Sequence, residues 1–190
     1  MKNNIFIISG PSGAGEDSII TGLTKKLPIE KIITTTTRPI REGEENGREY
    51  YFISKEEFKA GIEKGFFLEW AQEYNDNYYG VSKKEIERVK NSDKIGIWKI
   101  EYKGVIKAKQ LFPNIISIFI NAPLEILEKR IRQRNNVSDE FVQERLEYTK
   151  KWLEHRDIYD FEVENEEGKL SETIEKVSNI IQNNINLKKQ

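Results

Sequence analysis

The first stretch with the residue types and spacing for chemistry is Gly10-Pro11-Ser12-Gly13-Ala14-Gly15-Glu16-Asp17-Ser18. Its glycine spacing is that of a phosphate-binding loop, in which backbone N–H groups and the N-terminus of the following helix surround phosphate oxygens. Such loops carry a lysine for the outer phosphates and then a hydroxyl that binds Mg²⁺. Here Glu16 stands at the lysine position and Asp17 at the hydroxyl position, with Ser18 next. The same nonapeptide also reads as a plain glycine turn whose acidic residues complement a helix dipole. A second cluster reads on its own either as a solvated surface pair or as a further phosphate site. Arg38 and Arg41 can form charge-assisted, partly bidentate bonds to a phosphate dianion, and Thr34 and Tyr50 add neutral donors.

Three segments extend the pattern: Thr34 to Phe52 with the core Thr37-Arg38-Pro39-Ile40-Arg41-Glu42-Gly43-Glu44, then Phe67-Leu68-Glu69-Trp70-Ala71, then Asn77-Tyr78-Tyr79-Gly80. With the glycine loop they resemble the guanylate kinases, nucleoside monophosphate kinases of the phosphate-loop class. The resemblance runs from Ile5 to about Tyr159, in order and at the family's spacing, and its loop is atypical. It implies phosphoryl transfer from Mg-ATP to GMP, giving ADP and GDP. GMP would be held by Thr34, Arg38, Arg41, Tyr50, Glu69, Tyr79 and Glu101. ATP would be held by Ser12, Gly13, Ala14, Gly15, Glu16, Asp17, Ser18 and Arg134, with Asp17 and Ser18 as the Mg²⁺ ligands. Arg41, Arg130, Arg134 and Arg145 would neutralise charge on the transferred phosphoryl group. Glu69 and Glu101 match positions that face the base, where carboxylates accept from the guanine N1–H and amino donors. Adenine presents no comparable donor pair.

Two departures bear on mechanism. Val81 stands where the family commonly has a hydroxyl for the purine. Lys99, in Ile97-Trp98-Lys99-Ile100-Glu101, stands where the family usually has an aspartate. Glu16 and Lys99 thus form an exchange of charge between loop and strand. The expectation is that Lys99 reaches across, pairs with Glu16 in the empty protein, and serves as the catalytic cation that the loop lacks.

These residues need elements to position them. Ile5-Phe6-Ile7-Ile8 is a continuous apolar run, as in a strand covered on both faces. From Ser18, Ile19, Ile20, Leu23 and Leu27 recur at helical spacing until Pro28, giving strand, glycine loop, helix. Lys94 to Ile100 and Ile115 to Ile120 are further strand runs, each followed by a helical segment, so the sheet is parallel. The expected fold class is α/β: a phosphate-loop-type parallel sheet flanked by helices, with an inserted mixed GMP-binding subdomain at 34–81 and a helical lid near 130–150. Pro123 opens a helix that Asn135-Asn136 interrupts, and Ser138 caps a longer one. Leu170, Ile174, Val177, Ile181 and Ile185 mark a C-terminal docking helix, and a frayed tail follows from Asn186.

The chain of 190 residues fits one domain, with 37% apolar residues for a core and 33% charged residues. Its 31 basic and 32 acidic residues leave a formal charge of -1, which lacks the excess of a non-specific nucleic-acid or membrane-surface binder. With no cysteine and only His155, disulfides, thiolate sites and His-rich metal centres are excluded. The opening residues are too short a hydrophobic stretch for a signal peptide or a membrane span, so a soluble, cytoplasmic protein is expected, as a monomer or homodimer. Two alternatives stand beside the kinase: a catalytically impaired, guanylate-kinase-like binding module, and a kinase for another phosphorylated small molecule. Retention of Arg38, Arg41 and Tyr50 argues against the first, and the Glu69 and Glu101 pair against the second.

Overall fold

In a computed structural model that describes residues 4–48, 50–72, 76–133 and 137–186, the elements in chain order are β1 (Ile5–Ser9), α1 (Glu16–Thr24), β2 (Ile29–Ile32), β3 (Thr35–Thr36), β4 (Tyr51–Phe52), α2 (Lys55–Glu63), β5 (Phe67–Gln72), β6 (Tyr78–Ser82), α3 (Lys83–Lys90), β7 (Ile95–Lys99), α4 (Tyr102–Leu111), β8 (Ile116–Asn121), α5 (Leu124–Arg132), α6 (Asp139–Glu154), β9 (Phe161–Glu164) and α7 (Leu170–Asn186).

Every residue of β1 is buried because the strand lies in the middle of a sheet ordered β2-β7-β1-β8-β9. All its pairings are parallel, with Ile8 opposite Lys99 on one side and Ile118 on the other. Alternate side chains serve opposite faces. Phe6 and Ile8 pack with Ile97, Ile118 and the α1 residues Ile19 and Leu23, while Ile5 and Ile7 pack with Trp98, Ile86 and Val105 from the other side. A run without polar alternation is what two helix-covered faces require.

The helices begin where their sequences supply oxygen caps. Ser54 and Glu57 form a reciprocal capping box at α2, and the hydroxyls of Ser82 and Ser138 accept from the third residue of α3 and α6. The first helix differs from its expected span: it starts at Glu16 and ends at Thr24, three residues before Leu27, because Lys25, Lys26 and Leu27 close a turn on Gly22 and Leu23. Its N-cap is Gly15 at φ 95°, a left-handed conformation that favours glycine.

Strands β2 and β9 are absent from the sequence expectations. Both lie at sheet edges, and their Ile-Glu-Lys-Ile and Phe-Glu-Val-Glu sequences each bury a single residue. Between β2 and α3 the chain builds a second sheet, ordered β4-β3-β6-β5, with β3 and β4 parallel and the other pairs antiparallel. Phe58 of α2 stacks on Phe67 at 4.1 Å and closes its back. The expected frayed end after Asn186 lies outside the described residues.

Candidate active site

The end of β1 and the second sheet face each other across a cleft of about 450 Å³. On the loop side, Gly13 (φ 92°) and Gly15 (φ 95°) allow the backbone to turn where an L side chain would be strained. A Cβ on Gly15 would also lie 2.6 Å from Asn165 Nδ2. That closeness reflects a clamp: Asn165 Nδ2 donates to the Ala14 carbonyl at 2.8 Å, and Arg130 donates to the carbonyls of Gly13 at 3.2 Å and Asn165 at 2.9 Å. Gly10, Ser12, Gly13, Glu16 and Asp17 line the cleft, whereas Ala14 and Gly15 stand behind that wall. Ser18 is exposed on α1 and not part of the lining, so of the two expected metal ligands Asp17 is the one that faces the cleft. Arg130, expected at the phosphates, lies outside the lining with its guanidinium bonded to loop carbonyls. Arg134 lies outside the described residues.

Opposite the loop, Arg38 is 9% exposed, with its guanidinium 5.3 Å from the ring centroids of both Tyr50 and Phe52. It donates to Glu44 Oε1 at 2.8 Å, while Glu44 Oε2 accepts from the Arg41 backbone N–H at 2.8 Å. Burial works against both charges, but the hydrogen bond and field between the partners prevail, so the Arg38 pKa is raised and the Glu44 carboxyl is lowered. Glu44 sits in the segment that carried the resemblance but was given no role there; its signal is a carboxylate three residues after Arg41. Thr34 is 6% exposed, and its hydroxyl has no hydrogen-bond partner among the described residues. Tyr79 meets Tyr50 edge-on at 6.1 Å. Burial and then Tyr50 raise its phenol pKa against a hydrogen bond with Thr36, which keeps it a neutral donor.

Deeper in the cleft, Glu69 is 7% exposed on β5, and Glu101 caps the approach to α4 in an extended conformation. The Tyr148 hydroxyl donates to Glu101 Oε2 at 2.7 Å. Tyr148 and Trp152 follow Arg145 by three and seven residues, so all three project from one face of α6 into the cleft. Arg145 alone was expected; that spacing is the signal for its two aromatic companions. The Arg145 guanidinium lies 4.9 Å from the Phe141 ring. Val81 is fully buried against Ile86, Val89 and Trp98 and does not line the cleft.

Lys99 ends β7 beside the origin of the loop and lines the same cleft. Its ammonium is 2.7 Å from Asp17 Oδ1, a partner that the expected pairing with Glu16 did not include. Both acids of the first turn of α1 line the cleft with Lys99: Asp17 accepts from its ammonium, and the Glu16 carboxyl carbon lies 3.4 Å from the Cβ position of Gly10. Burial opposes the Lys99 charge, but Tyr50, Asp17 and Glu16 outweigh it and raise its pKa, so the side chain is a cation at neutral pH. The ammonium also stands 5.6 Å from the Tyr50 ring centroid, between the loop and the Arg38 side.

A glycine loop at the carboxyl end of a central parallel strand, facing a second sheet with a buried arginine beside it and a carboxylate on it, and a second carboxylate at the start of α4, defines a phosphate-loop α/β nucleotide-binding protein. The guanylate kinase family profile matches residues 2–184, so the chain belongs to the guanylate kinase family. Among its relatives, the guanylate kinase of Helicobacter pylori is 41% identical over 173 residues, covering 90% of this chain and 84% of the relative. That of Pseudoalteromonas translucida is 39% identical over 168 residues, covering 87% and 81%. A crystal structure of guanylate kinase from Anaplasma phagocytophilum superposes with a TM-score of 0.75 at 28% identity, covering 95% of this chain and 85% of that one.

Proposed function

We propose that the chain transfers the γ-phosphoryl group of Mg-ATP to GMP, as a guanylate kinase whose donor loop is altered. The observation that carries this reading is the convergence of the Arg38 guanidinium, the Thr34 hydroxyl and the Glu69 and Glu101 carboxylates on one cleft with the glycine loop. A GMP phosphate takes the guanidinium of Arg38, now held by Glu44, together with Arg41, Thr34, Tyr50 and Tyr79. The guanine N1–H and amino groups donate to Glu69 and Glu101. Arg145 lies at the reacting phosphates, Arg130 acts through the loop it holds, and Arg134 keeps the donor-side role that the resemblance implies. Lys99 stands with them as the cation nearest the loop.

The reaction needs no protein nucleophile. A GMP phosphate oxygen attacks the γ-phosphorus, the bond from phosphorus to the β–γ bridging oxygen breaks, and ADP leaves with that oxygen. The protein aligns the two nucleotides and offsets the negative charge. Asp17, a hard oxygen donor on the cleft wall, fits Mg²⁺, and Ser18 is the other loop oxygen; the metal supplies charge neutralisation on the phosphates when bound. Closure of the 34–81 subdomain and of a lid spanning about 130–150 would exclude water from the phosphoryl group. The reading takes GMP and ATP as partners rather than nucleic acid, and a cytoplasmic setting, as monomer or homodimer. Among the described residues no helix is long and apolar enough to cross a membrane. The binding-module alternative is not favoured, since the relatives named are guanylate kinases.

Separate calorimetric titrations with GMP, dGMP, AMP and ATP test this reading. GMP and dGMP are expected to bind in the absence of donor, and AMP at least about tenfold more weakly, because the carboxylates are left facing a base without the donor pair. Equal affinity for GMP and AMP would overturn the assignment of the base pocket.

A further inference from the structure

The pairing of Lys99 with Asp17 joins two positions that the phosphate-loop pattern keeps for other purposes. Asp17 occupies the place of the loop's metal-binding hydroxyl, and its carboxylate already holds an ammonium at 2.7 Å. Building on the donor-site reading above, we propose that Lys99 and nucleotide-bound Mg²⁺ are alternative partners of Asp17. In the empty protein the ammonium holds the carboxylate. When Mg-ATP arrives, the carboxylate turns to the metal and Lys99 is released to the phosphate oxygens, supplying from β7 the cation that position 16 lacks.

Three features support the exchange. The Asp17 side chain is 78% exposed, so a hydrated metal reaches it without backbone movement. The Lys99 side chain is 31% exposed and lines the cleft together with Ser12, Gly13 and Glu16, so its flexible four-carbon stem swings within the space the phosphates would enter. The pair is open to solvent on its Asp17 side, so the carboxylate can exchange one cation for another without leaving a buried charge uncovered. The anchor is fixed: Lys99 pairs with Ile8 in the central sheet, one residue before the end of β1, which keeps the ammonium at the origin of the loop. The exchange also answers the repulsion that Glu16 and Asp17 together would impose on a polyphosphate. The metal neutralises one carboxylate and the freed ammonium faces the other.

Calorimetry with ATP alone, in excess Mg²⁺ or in EDTA, tests the coupling in the wild-type protein and in Lys99→Met, Asp17→Asn and the double variant, with circular dichroism confirming that each is folded. Lys99→Met is expected to weaken ATP by about tenfold or more in Mg²⁺ and by less than about threefold in EDTA, because only the metal frees the ammonium. Asp17→Asn is expected to tighten ATP in EDTA by about tenfold when Lys99 is present and by clearly less in the Lys99→Met background. That difference separates release of Lys99 from simple relief of repulsion. Equal weakening by Lys99→Met in the two conditions, or a gain from Asp17→Asn that persists without Lys99, would overturn the exchange while leaving the donor site standing. Absence of ATP binding to the wild-type protein in both conditions would overturn the donor-site reading and the exchange with it.

Discussion

Thr34 buries a hydroxyl that bonds to nothing among the described residues, and it does so on the cleft wall, where a bound phosphate can satisfy it. Thr34→Val is therefore expected to leave the melting temperature of the empty protein unchanged or slightly higher, while GMP affinity falls by about 1 kcal/mol. A variant that melts lower and binds GMP normally would mark the hydroxyl as structural. Arg38→Ala removes the buried cation of the acceptor side, and calorimetry is expected to show GMP weakened by about 1.5 to 3 kcal/mol; unchanged affinity would contradict the acceptor assignment. Glu69→Gln leaves one acceptor where the carboxylate offers two, so the ratio of GMP to AMP affinity is expected to fall. An undiminished ratio would remove Glu69 from the base pocket. The sequence offered these residues as candidates chiefly through the family resemblance of the short segments that hold them. The Asp17 partner of Lys99 was not legible there: it is 82 residues away, and its approach to the ammonium depends on where the first turn of α1 places two adjacent acids. Glu44 was missed for a different reason, since a carboxylate beside two arginines reads locally as surface charge until Arg38 is seen to be buried.

The central strand β1 contains a continuous apolar run, β7 and β8 are rich in isoleucine and aromatic residues, and α7 repeats its apolar residues at steps of three and four, so these elements were visible before the fold was known. Edge strands carry no such mark. Strand β9 is held instead by the residue before it: Asp160 accepts from the backbone and hydroxyl of Ser117 at 2.8 and 2.9 Å and from Lys109 at 2.9 Å. Burial works against the Asp160 charge, but Lys109 and Ser117 outweigh it and hold the carboxyl below its ordinary 3.8. A carboxyl with a lowered folded value stabilises the fold above its unfolded value and loses that contribution as pH falls through the folded one. Asp160→Asn is accordingly expected to destabilise by about 1 kcal/mol at neutral pH, a figure discounted for partial exposure. Urea unfolding from pH 7 down to pH 3 should show that difference constant to about pH 5 and shrinking below about pH 4. A difference that grows on acidification would contradict the ion-pair account.

Across the whole molecule, a chain with a formal charge of -1 gathers Arg38, Arg41, Lys99 and Arg145 onto one cleft. Two sheets and α6 are needed to bring them there. The sequence resemblance placed these groups along the chain, but the convergence of Tyr148 and Trp152 on the cleft depends on how α6 docks, through Tyr102 and Phe119, against the core. The account rests on both halves of the cleft working together, and the most direct measurement is turnover: purified protein with ATP, Mg²⁺ and GMP, following ADP release by a coupled assay and GDP by chromatography. The account predicts one GDP formed for each ADP released, little turnover when AMP replaces GMP, and loss of turnover in Lys99→Met. A folded protein that binds GMP and ATP yet forms no GDP would contradict it.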